Sequence, residues 1–173
     1  MYRGKSVCFS GHRRVHFDMD DSFLGEKMQK ALKHSIQTAI NEGFTAFYTG
    51  MAQGFDIIAG EAVIQTKYSC NTEITLFCIV PYRGQETKWS KKWRQRHDQL
   101  LKNGEIICLN DSYITGCFHE RNKYLVDNSA RLIGLYSGKS SGTRHTFDYA
   151  EKSGLEIINI WDKLEDNYER TND

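Results

Sequence analysis

Hydrophobic and polar positions along the chain alternate between two rhythms. Six short apolar runs stand out: "SVCFS" (6–10), "FTAFY" (44–48), "EITLFCIV" (73–80), "EIICL" (105–109), "RLIGLY" (131–136) and "LEIINI" (155–160). Each has strand length and is bounded by polar or glycine-containing stretches. Between them the apolar residues fall at helical spacing. Leu24, Met28, Leu32, Ile36 and Ile40 recur at every fourth position, and Gly43 follows as a stop. Further helices are predicted near 56–67, 89–102, 116–128 and 143–152.

Strands that alternate with helices, and that are apolar almost throughout, belong in a sheet covered on both faces. The pattern predicts an α/β fold: a single Rossmann-like, doubly wound, mainly parallel sheet with helices on both faces. In such sheets ligands bind outside the carboxyl ends of the strands, near the point where strand order reverses. The 173 residues suit one domain, with no internal repeat or linker. The polar tail from about 163, "EDNYERTND", is expected to fray.

Charge and composition narrow the function classes. A net charge of +1 creates no global field that calls for nucleic acid or a membrane. No run reaches the roughly 18 apolar residues of a membrane span, and "MYRGKSVCFS" lacks the apolar core of a signal peptide. Of the cysteines, Cys8, Cys78 and Cys108 sit in apolar, strand-like runs, where a thiol behaves as a small hydrophobe. An odd count of five, with no CxxC pair, points to a reducing cytoplasm. The histidines do not fall at zinc-ligand spacing, so no metal site is expected.

The candidate chemistry lies in the loops after the strands. These are Ser10-Gly11-His12-Arg13-Arg14, "TGMAQGFD" (49–56), "PYRGQETKW" (81–89) and "SGKSSGT" (137–143). Three of the four combine Gly with Ser or Thr ahead of a helix. Glycine lets backbone approach a ligand, and a helix N-terminus attracts anions. The combination suits a phosphate or carboxylate, although such turns also join strands to helices in any α/β protein. None matches a P-loop or a full G-x-G-x-x-G.

Arg121 is the sharper signal. In "GCFHERNKYLVDN" it shares a helical face with Cys117, Tyr124 and Leu125. A guanidinium on a face that wants burial needs an anion. That anion is either Asp127 or Asp56 within the fold, or a ligand phosphate. Asp56 is also placed to cap the second helix. The helix "KWSKKWRQRHDQLLK" carries Lys88, Lys91, Lys92, Arg94 and Arg96 on one side, with Trp89, Trp93, His97 and Leu100 as its buried face. A solvated basic face is the plain reading there, and a nucleic-acid contact the alternative. The Trp pair reads as packing rather than as a base-stacking platform.

Four segments in order, "FSGHR", "TGMAQGFDIIAGEAV", "PYRGQETKW" and "ERNKYLVDNSARLIGLYSGKSSGTRHTFDYA", resemble the YpsA-like branch of the SLOG superfamily. That superfamily groups LOG-type nucleotide phosphoribohydrolases with Smf/DprA DNA-processing proteins. The likeness runs from about Val7 to Ile160. It implies a Rossmann-like fold that holds a nucleotide or nucleotide-derived ligand, and a homodimer. With the loops above, the expected ligand-binding set is Ser10, Gly11, His12, Arg13, Gly50, Gly54, Asp56, Arg121, Asn122, Ser141, Gly142 and Thr143. One departure bears on catalysis. LOG hydrolases resemble P-G-G-x-G-T-x-x-E, in which the Glu works with an upstream Arg on an N-glycosidic bond. Arg121 resembles that Arg, but after Gly142-Thr143 this chain reads Arg144-His145-Thr146. Asp56, Glu61 or Glu120 would have to supply the carboxylate. The expectation is therefore a binding protein, with a nucleotide-cleaving enzyme (candidates Arg121, Asp56 and Glu120) and a DprA-like DNA-associated module as alternatives.

Overall fold

The computed structural model describes residues 3–139 and 142–164. It contains strands β1 (Ser6–Gly11), β2 (Ala46–Thr49), β3 (Thr75–Val80), β4 (Glu105–Cys108), β5 (Arg131–Leu135) and β6 (Glu156–Asn159). The helices are α1 (Phe23–Asn41), α2 (Phe55–Cys70), α3 (Lys91–Asn103), α4 (Cys117–Asp127) and α5 (Gly142–Lys152). The strands form one sheet in the order β4-β3-β2-β1-β5-β6, and every pairing is parallel. The chain therefore moves outward from β1 to β4, then returns to the other side of β1 as β5. The switch point lies between β1 and β5, and the crevice above their carboxyl ends is where such a sheet takes ligands.

Alternation along each strand sends its side chains into two cores. Val7 and Phe9 of β1 pack with Met28, Leu32 and Ile36 of α1, Ile57 and Val63 of α2 and Leu100 of α3. Cys8, the residue between them, packs instead with Leu125 and Val126 of α4 and Phe147 and Ala150 of α5. Helices α1 to α3 thus cover one face, and α4 and α5 the other. Burial pushes the thiols of Cys8 and Cys78 up to about 12, which leaves both as inert apolar groups.

Several local expectations shift for physical reasons. The buried face of α1 is Met28, Leu32, Ser35, Ile36 and Ala39, not a strict run of every fourth residue. Four residues turn a helix by about 40° beyond a full circle, so the stripe drifts and Leu24 and Ile40 end half-buried. Gly43 does end that helix, at φ 89°, with its N–H donating to the Ile40 carbonyl at 2.9 Å. Asp56 does not cap α2. Gly54 takes that position and Asp56 lies in the first turn. Cys108, expected to be buried, is exposed because β4 is an edge strand. Among the described residues no helix is long and apolar enough to cross a membrane.

Candidate functional site

A cavity of about 940 Å³ opens above the carboxyl edge of the sheet. Its floor comes from Ser10 and Gly11 at the end of β1 and from Asp56 at the start of α2. One wall is Lys88, Trp89, Ser90 and Trp93, ahead of and within α3. The opposite wall is Phe118, Arg121 and Asn122 of α4, with Gly142 and Thr143 of α5. The walls are opposite because α3 packs on one face of the sheet and α4 and α5 on the other.

Arg121 is 4% exposed and Asp56 is 5% exposed, and they face each other at the floor, with Nη1 3.9 Å from Oδ2. Arg121 Nη1 also donates to the Gly50 carbonyl oxygen, and its Nε donates to Asn122 Oδ1 at 2.7 Å. A Cβ at Gly50 would stand 2.8 Å from both Arg121 Nη1 and Asp56 Oδ2. Only a bare backbone lets this buried pair form. The Asp127 carboxylate, the other partner open to Arg121 on sequence grounds, instead accepts from Lys123 and Tyr149. Burial pushes the Asp56 carboxyl above its ordinary range, against the lowering effect of Arg121, the Ala52 N–H, Arg13 and the Gly11 N–H. Burial likewise lowers the Arg121 guanidinium, against the attraction of Asp56.

His12 closes the switch point. Its Nε2 accepts from the Ser137 backbone N–H at 3.0 Å, and Ser137 Oγ lies at the same distance. The N–H fixes Nε2 as an acceptor, so the ring is neutral with its proton on Nδ1. Burial lowers its pKa below the ordinary 6.5, and Lys139 adds to the effect. Arg13 is exposed over the Phe118 ring, 5.6 Å from the centroid. Its carbonyl lies against Gly54, where φ is 88° and a Cβ would meet Arg13 O at 2.5 Å.

The cavity brings together Ser10, Gly11, His12, Arg13, Asp56, Arg121, Asn122, Gly142 and Thr143 from the expected set. Gly50 and Gly54 lie behind it as supports. Ser141 lies outside the described residues. Two carboxylates considered for catalysis are elsewhere. Glu120 is exposed and accepts from Asn110 Nδ2 at 2.8 Å, while Glu61 is held by Arg96 at 2.7 and 2.6 Å. The fifth position of the G-T-x-x-E spacing is Thr146. It is 2% exposed, and its hydroxyl donates to the Gly142 carbonyl at 3.2 Å. His145 is exposed and faces a separate, smaller hollow with His119.

A family model described as YpsA, YspA SLOG family, matches residues 7–157, which span β1 to β6 and the whole cavity. The chain belongs to the YpsA family. The SPbeta prophage-derived protein YoqJ of Bacillus subtilis is 28% identical over 142 residues, covering 72% of this chain and 82% of YoqJ. A UPF0398 protein of Halalkalibacterium halodurans is also 28% identical, over 67% of this chain and 62% of its own length. Among solved structures, DNA processing protein A of Helicobacter pylori, described for its single-stranded DNA binding mode, aligns with a TM-score of 0.63. The identity is 16%, over 94% of this chain and 72% of that one. DprA of Streptococcus pneumoniae gives a TM-score of 0.61 at 18% identity, over 88% of this chain and 48% of that one. These likenesses show the fold.

Three lining groups of this YpsA-family chain escape a reading from loop chemistry. Trp89 and Trp93 pack against the core, as their spacing suggests, but each also presents part of its ring to the cavity. Phe118 was masked by its place on a polar helix turn. The signal that could have found all three is position: each lies within a few residues of a helix start that follows a strand end.

Proposed function

We propose that the cavity binds a nucleotide or a nucleotide-derived molecule. The observation that carries this reading is the meeting of cations and aromatic rings in one crevice at the switch point. Arg13, Arg14 and Lys88 line it, and among the described residues none of the three makes an ion pair. They are available to phosphate oxygens, with Arg121 below them and the first turn of α5 beside them. Trp89, Trp93 and Phe118 bring aromatic rings to the same crevice, where a base can stack.

Cleavage of the N-glycosidic bond is less well supported. Among the described residues Asp56 is the only carboxylate that lines the cavity, and Arg121 already engages it. A single-stranded DNA surface is the second reading, supported by the fold shared with DprA and by Lys91 and Arg94 on the exposed side of α3.

Thermal unfolding with a panel of mono-, di- and cyclic nucleotides tests the main reading. A ligand at 100 times its Kd stabilises the folded state by about 2.7 kcal/mol. The expected result is an upward shift for at least one nucleotide, reduced in Arg14→Ala and Lys88→Ala. A panel at millimolar concentration that shifts nothing would sink the reading.

A further inference from the structure

The cavity has two aromatic walls, and a single nucleobase fills only one. Trp89 and Trp93 belong to the α3 side of the sheet edge. Phe118 belongs to the α4 side, and it is not alone. Its ring stands 5.9 Å from Tyr82 and 6.3 Å from Tyr113, and the two tyrosines meet edge to face at 5.5 Å. Tyr113 is 60% exposed, so this cluster carries the aromatic surface from the cavity out to solvent. Arg13, Arg14 and Lys88, which make no ion pair among the described residues, share the crevice with these rings, Arg13 over Phe118 on one side and Lys88 in the wall of Trp89 on the other.

Volume points the same way. Small-molecule sites run from about 300 to 1,000 Å³, and 940 Å³ stands at the upper end. The charge matches too. Asp56 offsets Arg121, which leaves three cations for a bridging group of one or two phosphates.

We infer that the ligand is a dinucleotide: two nucleobases joined through ribose and phosphate, one stacked on Trp89 and Trp93, the other on Phe118 and the tyrosines beside it, the phosphates over Arg13 and Lys88. This rests on the nucleotide reading above and specifies its ligand. A long single strand fits less well, because the basic side of α3 is partly neutralised. Lys92 and Arg96 both pair with Asp20 at 2.9 Å, which interrupts a track for successive phosphates.

Isothermal titration of the whole chain with ADP and with diadenosine 5′,5′-diphosphate tests the inference. Base–aromatic stacking spans roughly tenfold to a hundredfold in affinity per base. The two-base probe is expected to bind at least about tenfold tighter than ADP. Phe118→Leu, which keeps apolar bulk, should erase that advantage. Trp89→Leu should weaken the two-base probe as well, and a melting curve within a few degrees of wild type certifies each fold. Equal affinity for the two probes overturns the dinucleotide and leaves the nucleotide reading standing. Binding of neither probe overturns the dinucleotide, and the nucleotide reading falls with it when the thermal-shift panel also gives no shift. Tighter binding of a ten-residue oligothymidylate than of the two-base probe, weakening steeply with salt, overturns it in favour of nucleic acid.

Discussion

Replacing Arg121 with Met keeps most of the apolar stem and removes the guanidinium. Asp56, 5% exposed, is then left without the cation that faces it. Removing one member of a buried ion pair costs about 3–5 kcal/mol, because the surviving charge is neither solvated nor matched. Against a total of about 5–15 kcal/mol, that is a large share. For a chain of this size each kcal/mol moves the melting temperature by about 2–4 °C, so a fall of about 10 °C is expected. The Gly50 carbonyl also loses its donor, which adds about 1 kcal/mol.

The pH dependence has a definite sign. Burial already raises the Asp56 carboxyl, and Arg121 is the largest influence opposing that rise. Without Arg121 the folded-state pKa moves further up while the unfolded value stays near 3.9. A group raised in the folded state contributes stability that is complete below the unfolded pKa and lost as pH rises through the folded one. Arg121→Met should therefore come closer to wild type at pH 5 than at pH 8. Urea unfolding at the two pH values measures this. The double variant Asp56→Asn, Arg121→Met should recover most of the loss, since no charge then remains buried. A single variant within about 1 kcal/mol of wild type at pH 8, or a double variant no better than the single, would refute the buried pair as the keystone of the floor.

Two further outcomes follow from the loops. Gly54→Ala must hold φ 88° with a side chain and push its Cβ into the Arg13 carbonyl. A melting scan should show a loss of more than about 1 kcal/mol, and displaced Arg13 should weaken binding of any phosphate-bearing ligand. His12 accepts from the Ser137 N–H, and its pKa is lowered in the fold, so its contribution to stability is present above about 6.5. It is lost as pH falls through the folded value. Unfolding between pH 7.5 and 5 should show this loss in wild type, and His12→Gln should flatten it.

The sheet was legible because its signal is local. Runs such as "TLFCIV" are apolar on both faces, and only a covered parallel strand buries both. The winding order was less accessible. Nothing within "RLIGLY" states that β5 returns to β1 rather than adding beyond β4, yet that return creates the crevice. Edge exposure follows from the same order, which is why Cys108 reads as buried in its run and stands exposed in the fold.

The floor of the cavity shows where reading along a chain stops and why. The helical face of Arg121 announces a buried cation, and that much is a property of thirteen consecutive residues, "GCFHERNKYLVDN". Its partner is a property of the sheet. Asp127 is six residues away, but it falls on the outer side of α4 and is held by Lys123 and Tyr149. Asp56 is 65 residues away in sequence, yet α4 lies on the sheet face opposite α2 and turns Arg121 over the end of β2. Gly50 then matters less as a turn residue than as the one surface thin enough for both charges to meet across it. The Trp pair makes the same point in reverse. Its spacing assigns it to packing, and packing is what fixes those rings, but they flank the start of α3, the helix that follows β3. A ring anchored in the core at that place has its outer edge in the crevice, so structural and ligand-facing roles are carried by one side chain.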